Sequence, residues 1–152
     1  MYAFTYERPS ATADAAKLVK AGGQALAGGQ TMLDAMEQRL MQPEQLVDLG
    51  KIAELKGIKK DGNNIVIGAM VRHQDVENNA DVKKHIPALA TLAAGIGDKQ
   101  VRAMGTMGGS VANNDPSACY PSAVLGLGAT VHTNKRRIEA DDFFQGMFTT
   151  AL

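Results

Sequence analysis

Apolar and polar positions in the first fifty residues keep changing period, and each change marks an element. Phe4-Thr5-Tyr6 alternates as a strand does and stops at Pro9-Ser10. Thr12 is placed to cap a helix carrying Ala15, Ala16, Leu18 and Val19, which ends at Gly22-Gly23. Gln24 to Ala27 reads as a second strand, and Met32 to about Arg39 as a helix with Leu33, Met36 and Leu40 at helical spacing. Gln45 to Leu49 is a third strand after Pro43. A strand–helix–strand–helix–strand series this short predicts right-handed crossovers and a small parallel sheet, whose ligands favour the loops beyond the strand carboxyl ends.

The rhythm changes after Leu55. Alternating runs flank Asp61-Gly62-Asn63-Asn64, a turn cluster that predicts an antiparallel hairpin. His73 to Val76 reads as a short helix, and Pro87 to Ala94 as a helix opened by proline and closed by Gly95. Gly97 to Arg102 reads as a loop entering a glycine-rich turn, and Pro121 as the start of a helix over 122–127 closed by Gly128. Ala129 to Thr133 and Arg136 to Ala140 form a second hairpin across Asn134-Lys135, followed by Asp141-Asp142-Phe143-Phe144. The expected class is α+β in two lobes, 1–52 and 53–152, the first a parallel βαβαβ unit and the second a larger lobe with antiparallel sheet and helices. Thr149-Thr150-Ala151-Leu152 has no glycine, proline or charge to finish an element, so the chain reads as interrupted there.

Composition narrows the class. With 152 residues, 45% of them hydrophobic, the chain can bury a core. Sixteen basic residues balance sixteen acidic ones, which removes the usual electrostatic signal for nucleic acid or an anionic membrane. The lone Cys119 rules out an internal disulfide or a cysteine-built metal cluster and points to a reducing compartment, the cytoplasm. No signal-peptide pattern opens the sequence, and no apolar run nears the ~20 residues of a membrane span.

Two glycine motifs carry the candidate chemistry. In Ala27-Gly28-Gly29-Gln30-Thr31 a small apolar strand runs into paired glycines and then a helix start, a geometry that suits a phosphate. Thr106-Met107-Gly108-Gly109-Ser110 reads as a second copy, so two hydroxyl-bearing turns could hold two sides of one diphosphate. Neither motif is the G-x-G-x-x-G dinucleotide fingerprint or a P-loop. The simplest reading of His73, His85 and His132 is as separate side chains, exposed or satisfied; of Asp141-Asp142, as a helix cap; of Cys119, as a small buried hydrophobe; and of the eight methionines, as core residues. No nucleophile–base set emerges, so any redox chemistry belongs to a bound cofactor.

Together with Asn113-Asn114-Asp115-Pro116-Ser117-Ala118-Cys119-Tyr120-Pro121, these two motifs resemble the flavin subunit of molybdenum hydroxylases. The resemblance is above all to the medium subunit of aerobic carbon monoxide dehydrogenase and more distantly to the flavin domain of xanthine dehydrogenase. In that family the motifs read A-G-G-x-S and T-I-G-G-N, and both wrap the FAD diphosphate with N–H groups and hydroxyls. The resemblance therefore implies cofactor contacts from Ala27, Gly28, Gly29, Gln30 and Thr31 on one side and Thr106, Gly108, Gly109 and Ser110 on the other. Thr31 keeps the hydroxyl of the family serine, whereas Ser110 replaces an amide side chain and Met107 an isoleucine. Cys119 stands where many relatives carry an aspartate turned to the FAD ribose, and Asp115 is the neighbouring carboxylate.

By the same resemblance, the molybdenum cofactor and the iron–sulfur clusters sit in a large and a small partner subunit. Electrons pass through FAD to an external acceptor, and no residue here acts as acid or base. The family chain adds further strands and a C-terminal domain, which this sequence would lack. The rival reading is a nucleotide- or anion-binding or assembly module that keeps the glycine turns without redox activity.

Overall fold

The computed structural model describes residues 1–152. Strand β1 (Thr5–Glu7), helix α1 (Thr12–Lys20), β2 (Gln24–Leu26), α2 (Met32–Glu37) and β3 (Gln45–Asp48) follow in the expected order. The three strands form one parallel sheet in the order β1-β3-β2, which buries Leu46 and Val47 at its centre. Val47 packs with Ala15 of α1 and Ile52, and Leu18, Leu49 and Leu55 close that cluster. Thr12 does not cap α1. It is the first helical residue, and its N–H donates to Glu54 Oε1 at 2.8 Å, which ties the helix start to the segment after β3. Helix α2 stops at Glu37, so Met36 alone is buried among its apolar positions, and Leu40 lies beyond the helix in solvent.

The chain then forms the antiparallel hairpin β4 (Ile58–Asp61) and β5 (Asn64–Ile67), turning through Gly62 at φ +58°. Five helices follow: α3 (His73–Asn78), α4 (Ala80–His85), α5 (Pro87–Ala94), α6 (Lys99–Met104) and α7 (Met107–Asn113). Helix α5 matches its expected bounds. Helices α4 and α6 stand where the pattern of the chain gives no helix. Asn79 Oδ1 accepts the Val82 N–H at 3.0 Å, and Asp98 Oδ1 accepts the Val101 N–H at 2.8 Å, so each begins on a side-chain cap. The segment expected as a loop over 97–102 is thus mostly helical, held further by Arg102, which donates to the Ile96 and Gly97 carbonyls and pairs with Glu77 at 3.2 Å.

Helix α8 (Cys119–Gly126) starts two residues before Pro121, which the first turn tolerates because its N–H groups have no intrahelical partner. Strands β6 (Thr130–His132) and β7 (Arg137–Glu139) pair as expected. Asp141 and Asp142 lie inside the first turn of α9 (Ala140–Phe143) and make no capping bond. Strands β8 (Phe144–Gly146) and β9 (Thr149–Thr150) form one more hairpin. The main core runs from Val71 to Phe143 and includes Val76, Val82, Leu89, Val111, Tyr120 and Val124. No helix is long and apolar enough to cross a membrane.

Candidate functional site

The two glycine motifs lie against each other. A β-carbon built on Gly28 would collide with the Met104 carbonyl oxygen and stand 2.9 Å from the Gly105 Cα, so the first turn touches the backbone that leads into the second motif. One built on Gly109 would stand 3.4 Å from Ala27 Cβ and 2.8 Å from Thr106 Oγ1. Gly28 is glycine because two backbones approach there, whereas the neighbours of Gly109 are side-chain atoms. Gly29 adopts φ +76°, which carries the chain from β2 into α2.

The hydrogen bonding of the motifs differs. In the first, the N–H groups of Gly28, Gly29, Gln30 and Thr31 donate to no acceptor in the protein. Three of their carbonyls are engaged: Gly29 O accepts the Leu33 N–H at 3.0 Å, Thr31 O the Ala35 N–H at 3.1 Å, and Gly28 O the Gln30 Nε2 at 3.3 Å. A turn half-buried at Gly28 and Gly29 and exposed at Gln30 and Thr31, with its donors bare and most of its acceptors filled, presents a run of positive partial charge.

The second motif is the opposite. Gly108 and Gly109 are not a turn before a helix but lie in the first turn of α7, with Thr106 as its N-cap. The Met107 N–H donates to Val71 O and the Gly108 N–H to Ala69 O, both at 2.9 Å. The Gly109 N–H donates to Thr106 Oγ1 at 3.2 Å and the Ser110 N–H to Thr106 O at 3.1 Å. A strap over residues 69–71 thus takes two amides and the cap takes the rest. Gly108 is glycine because a β-carbon there would stand 2.5–2.7 Å from Ala69. What the second motif leaves free is the Ser110 hydroxyl, as the first leaves that of Thr31.

Asp115 lies apart from both turns. It follows α7, at the opposite end of that helix from Thr106 and roughly 13 Å along its axis. Its Oδ1 accepts the Ser117 N–H at 2.9 Å and the Ser117 hydroxyl at 2.7 Å; the hydroxyl first, then the amide, holds its carboxyl below the usual carboxylate range. Cys119, expected buried, is exposed at the start of α8. Most methionines are not core residues either: Met36 is the buried one, while Met1, Met104 and Met147 are well exposed.

Several residues that shape the site carry no motif. Asp48 pairs in register with Leu26, the last residue before the first turn. Its carboxylate accepts from Tyr6 Oη, from the Gly50 N–H at 2.7 Å and from Arg8 Nε at 2.8 Å. Burial works to raise the Asp48 pKa, but these three partners outweigh it and hold it below the ordinary value. Asn114 is buried and left-handed (φ 46°), and its Nδ2 donates to Gly146 O and Thr149 O at 2.7 and 3.0 Å, which locks the β8–β9 hairpin to the end of α7. His73 is buried, not exposed, and burial lowers its pKa from 6.5. An Asn ending a helix before a helix-stopping Asp-Pro was the available sign for Asn114; nothing local marks Asp48 or His73.

Residues 2–152 match the family described as the FAD binding domain in molybdopterin dehydrogenase. The chain belongs to this family. Among curated relatives of this FAD-binding domain, it is 39% identical to the carbon monoxide dehydrogenase medium chain of Afipia carboxidovorans over 98% of its length and 54% of the relative's. It is 35% identical to the glyceraldehyde dehydrogenase medium chain of Sulfolobus acidocaldarius, over 97% and 54%. Its fold superposes on carbon monoxide dehydrogenase from Hydrogenophaga pseudoflava with a TM-score of 0.95, at 35% identity, covering 99% of this chain and 55% of that one. Quinoline 2-oxidoreductase from Pseudomonas putida 86 gives a TM-score of 0.95 at 32% identity, over 99% and 55%. The chain spans about half the length of the curated relatives it matches. The α+β class expected from its pattern, parallel sheet first and antiparallel hairpins with helices after, is the fold of these FAD-binding domains.

Proposed function

We propose that this chain holds FAD in the medium subunit of a molybdenum hydroxylase of the carbon monoxide dehydrogenase type. The observation that carries the proposal is the row of free N–H groups from Gly28 to Thr31 set against the Gly109–Ala27 approach. An anion with several acceptor oxygens satisfies a row of bare backbone donors at a helix start, and a diphosphate has them. The first turn binds the phosphate oxygens. Thr31 and Ser110 offer hydroxyls from either side, Ala27 and Gly109 let the cofactor lie close to backbone, and Thr106 holds α7 in place. Asp115 is assigned to the part of the cofactor beyond the diphosphate.

Bound FAD supplies the redox chemistry, taking electrons that iron–sulfur clusters in a small partner subunit relay from the molybdenum centre of a large one, and passing them to an external acceptor. This chain's own part is to bind and orient. The reading places the complex in the cytoplasm and divides the chain into lobes 1–52 and 53–152, in keeping with its two separate hydrophobic clusters. Flavin absorbance of the purified chain, with fluorescence quenching on addition of FAD, tests it. Saturable uptake of FAD is the expected result; a colourless chain that leaves added FAD fluorescent contradicts it.

A further inference from the structure

His73 is a buried polar residue with an unusual lack of partners. Its Nδ1 makes no hydrogen bond, and neither does the hydroxyl of Tyr120, whose ring packs against it at 5.2 Å between centroids and a 54° tilt. The imidazole also meets Gly105: a β-carbon there would stand 2.5 Å from Nε2 and 2.9 Å from Cδ2. The His73 N–H donates to Gly105 O at 3.0 Å, and Arg72 and Thr106 form a β-bridge beside it. Gly28 in turn lies against the Met104–Gly105 peptide. Tyr120, His73, Gly105 and Gly28 therefore form one continuous column from the core to the first glycine turn.

We infer that His73 is a positioning residue: its ring, backed by Tyr120, sets the height of Gly105 and through it the place of the Gly28–Thr31 turn. The column acts by volume and asks no proton transfer of the imidazole. This inference rests on the diphosphate reading only for its consequence in cofactor affinity; the placement of the turn is a property of the chain alone.

The test uses the full chain in four forms, His73→Ala, His73→Phe, Gly105→Ala and the double His73→Ala/Gly105→Ala. Two readouts apply: the amide NMR signals of residues 28–31 without cofactor, and the dissociation constant for FAD. His73→Ala is expected to shift the signals of the first turn and weaken FAD about tenfold, the size of one lost hydrogen bond to a charged group. His73→Phe keeps the bulk and should leave both near wild type. Gly105→Ala should disturb the turn, and removing the ring in the double variant should restore it in part, because the new β-carbon also stands 3.0 Å from the Val101 carbonyl oxygen. If His73→Ala lowers the melting temperature while residues 28–31 keep their signals, or if the double variant is no better than Gly105→Ala, the inference is overturned. A wild-type chain that ignores FAD refutes the cofactor reading, while the amide signals still decide the role of His73.

Discussion

The two glycine motifs look alike as strings and differ as structures. Gly28-Gly29 bridges a strand and a helix with its amides bare, whereas Gly108-Gly109 lies within a helix whose amides are spent on the strap at Ala69 and Val71 and on Thr106. A glycine pair thus serves two ends. In the first it exposes donors, and in the second it lets a strap and a neighbouring turn come close. The first motif is the donor surface and the second the wall that faces it.

Substitutions at the two motifs should separate these roles. The largest effect is expected from Gly28→Val, because the atoms it meets are the backbone of Met104 and Gly105, which cannot swing aside. It should abolish measurable FAD uptake and cost on the order of 2–3 kcal/mol of stability by denaturant titration. Gly108→Ala pushes on Ala69 and should cost about 2 kcal/mol, with FAD affinity falling only as far as the fold loosens. An effect on affinity as large as that of Gly28→Val would erase the distinction between the motifs. Thr106→Ala removes the cap and should cost about 1 kcal/mol, while Thr106→Ser keeps the hydroxyl and most of the stability.

The smallest effect is a pH dependence behind the second motif. Burial lowers the folded-state pKa of His73 below its ordinary 6.5. Above that value the ring is neutral whether folded or unfolded, and the stability is fully present. As the pH falls below it, the unfolded chain takes up a proton that the folded chain refuses, so stability declines until the folded ring also protonates. Melting temperatures from pH 8 to pH 5 should show this decline in the wild type and a shallower one in His73→Phe. Equal slopes would mean that His73 is not held neutral.

The parallel lobe was legible in the chain because glycine and proline punctuate every element: Pro9, Gly22-Gly23, Gly28-Gly29 and Pro43 bound β1 to β3. Pro87 and Gly95 likewise bound α5. Helices α4 and α6 were missed although Asn79 and Asp98 are capping residues, since each helix is short and neighbouring glycine or charge suggested a loop. The β8–β9 hairpin depends on Asn114, more than thirty residues away, and no local pattern reports that contact. At the site, the glycines and hydroxyls could be picked out by residue type. Which amides stay free could not, because the acceptors that silence the second motif come from Ala69 and Val71, whose side chains say nothing about their carbonyls.

The account rests on the first turn as the donor of hydrogen bonds to phosphate, and amide NMR of the chain titrated with FAD tests this most directly. The N–H signals of Gly28, Gly29, Gln30 and Thr31 should move downfield as they gain an acceptor, while those of Met107 and Gly108 hold their positions. Signals at Met107 and Gly108 that move while residues 28–31 stay fixed would contradict it.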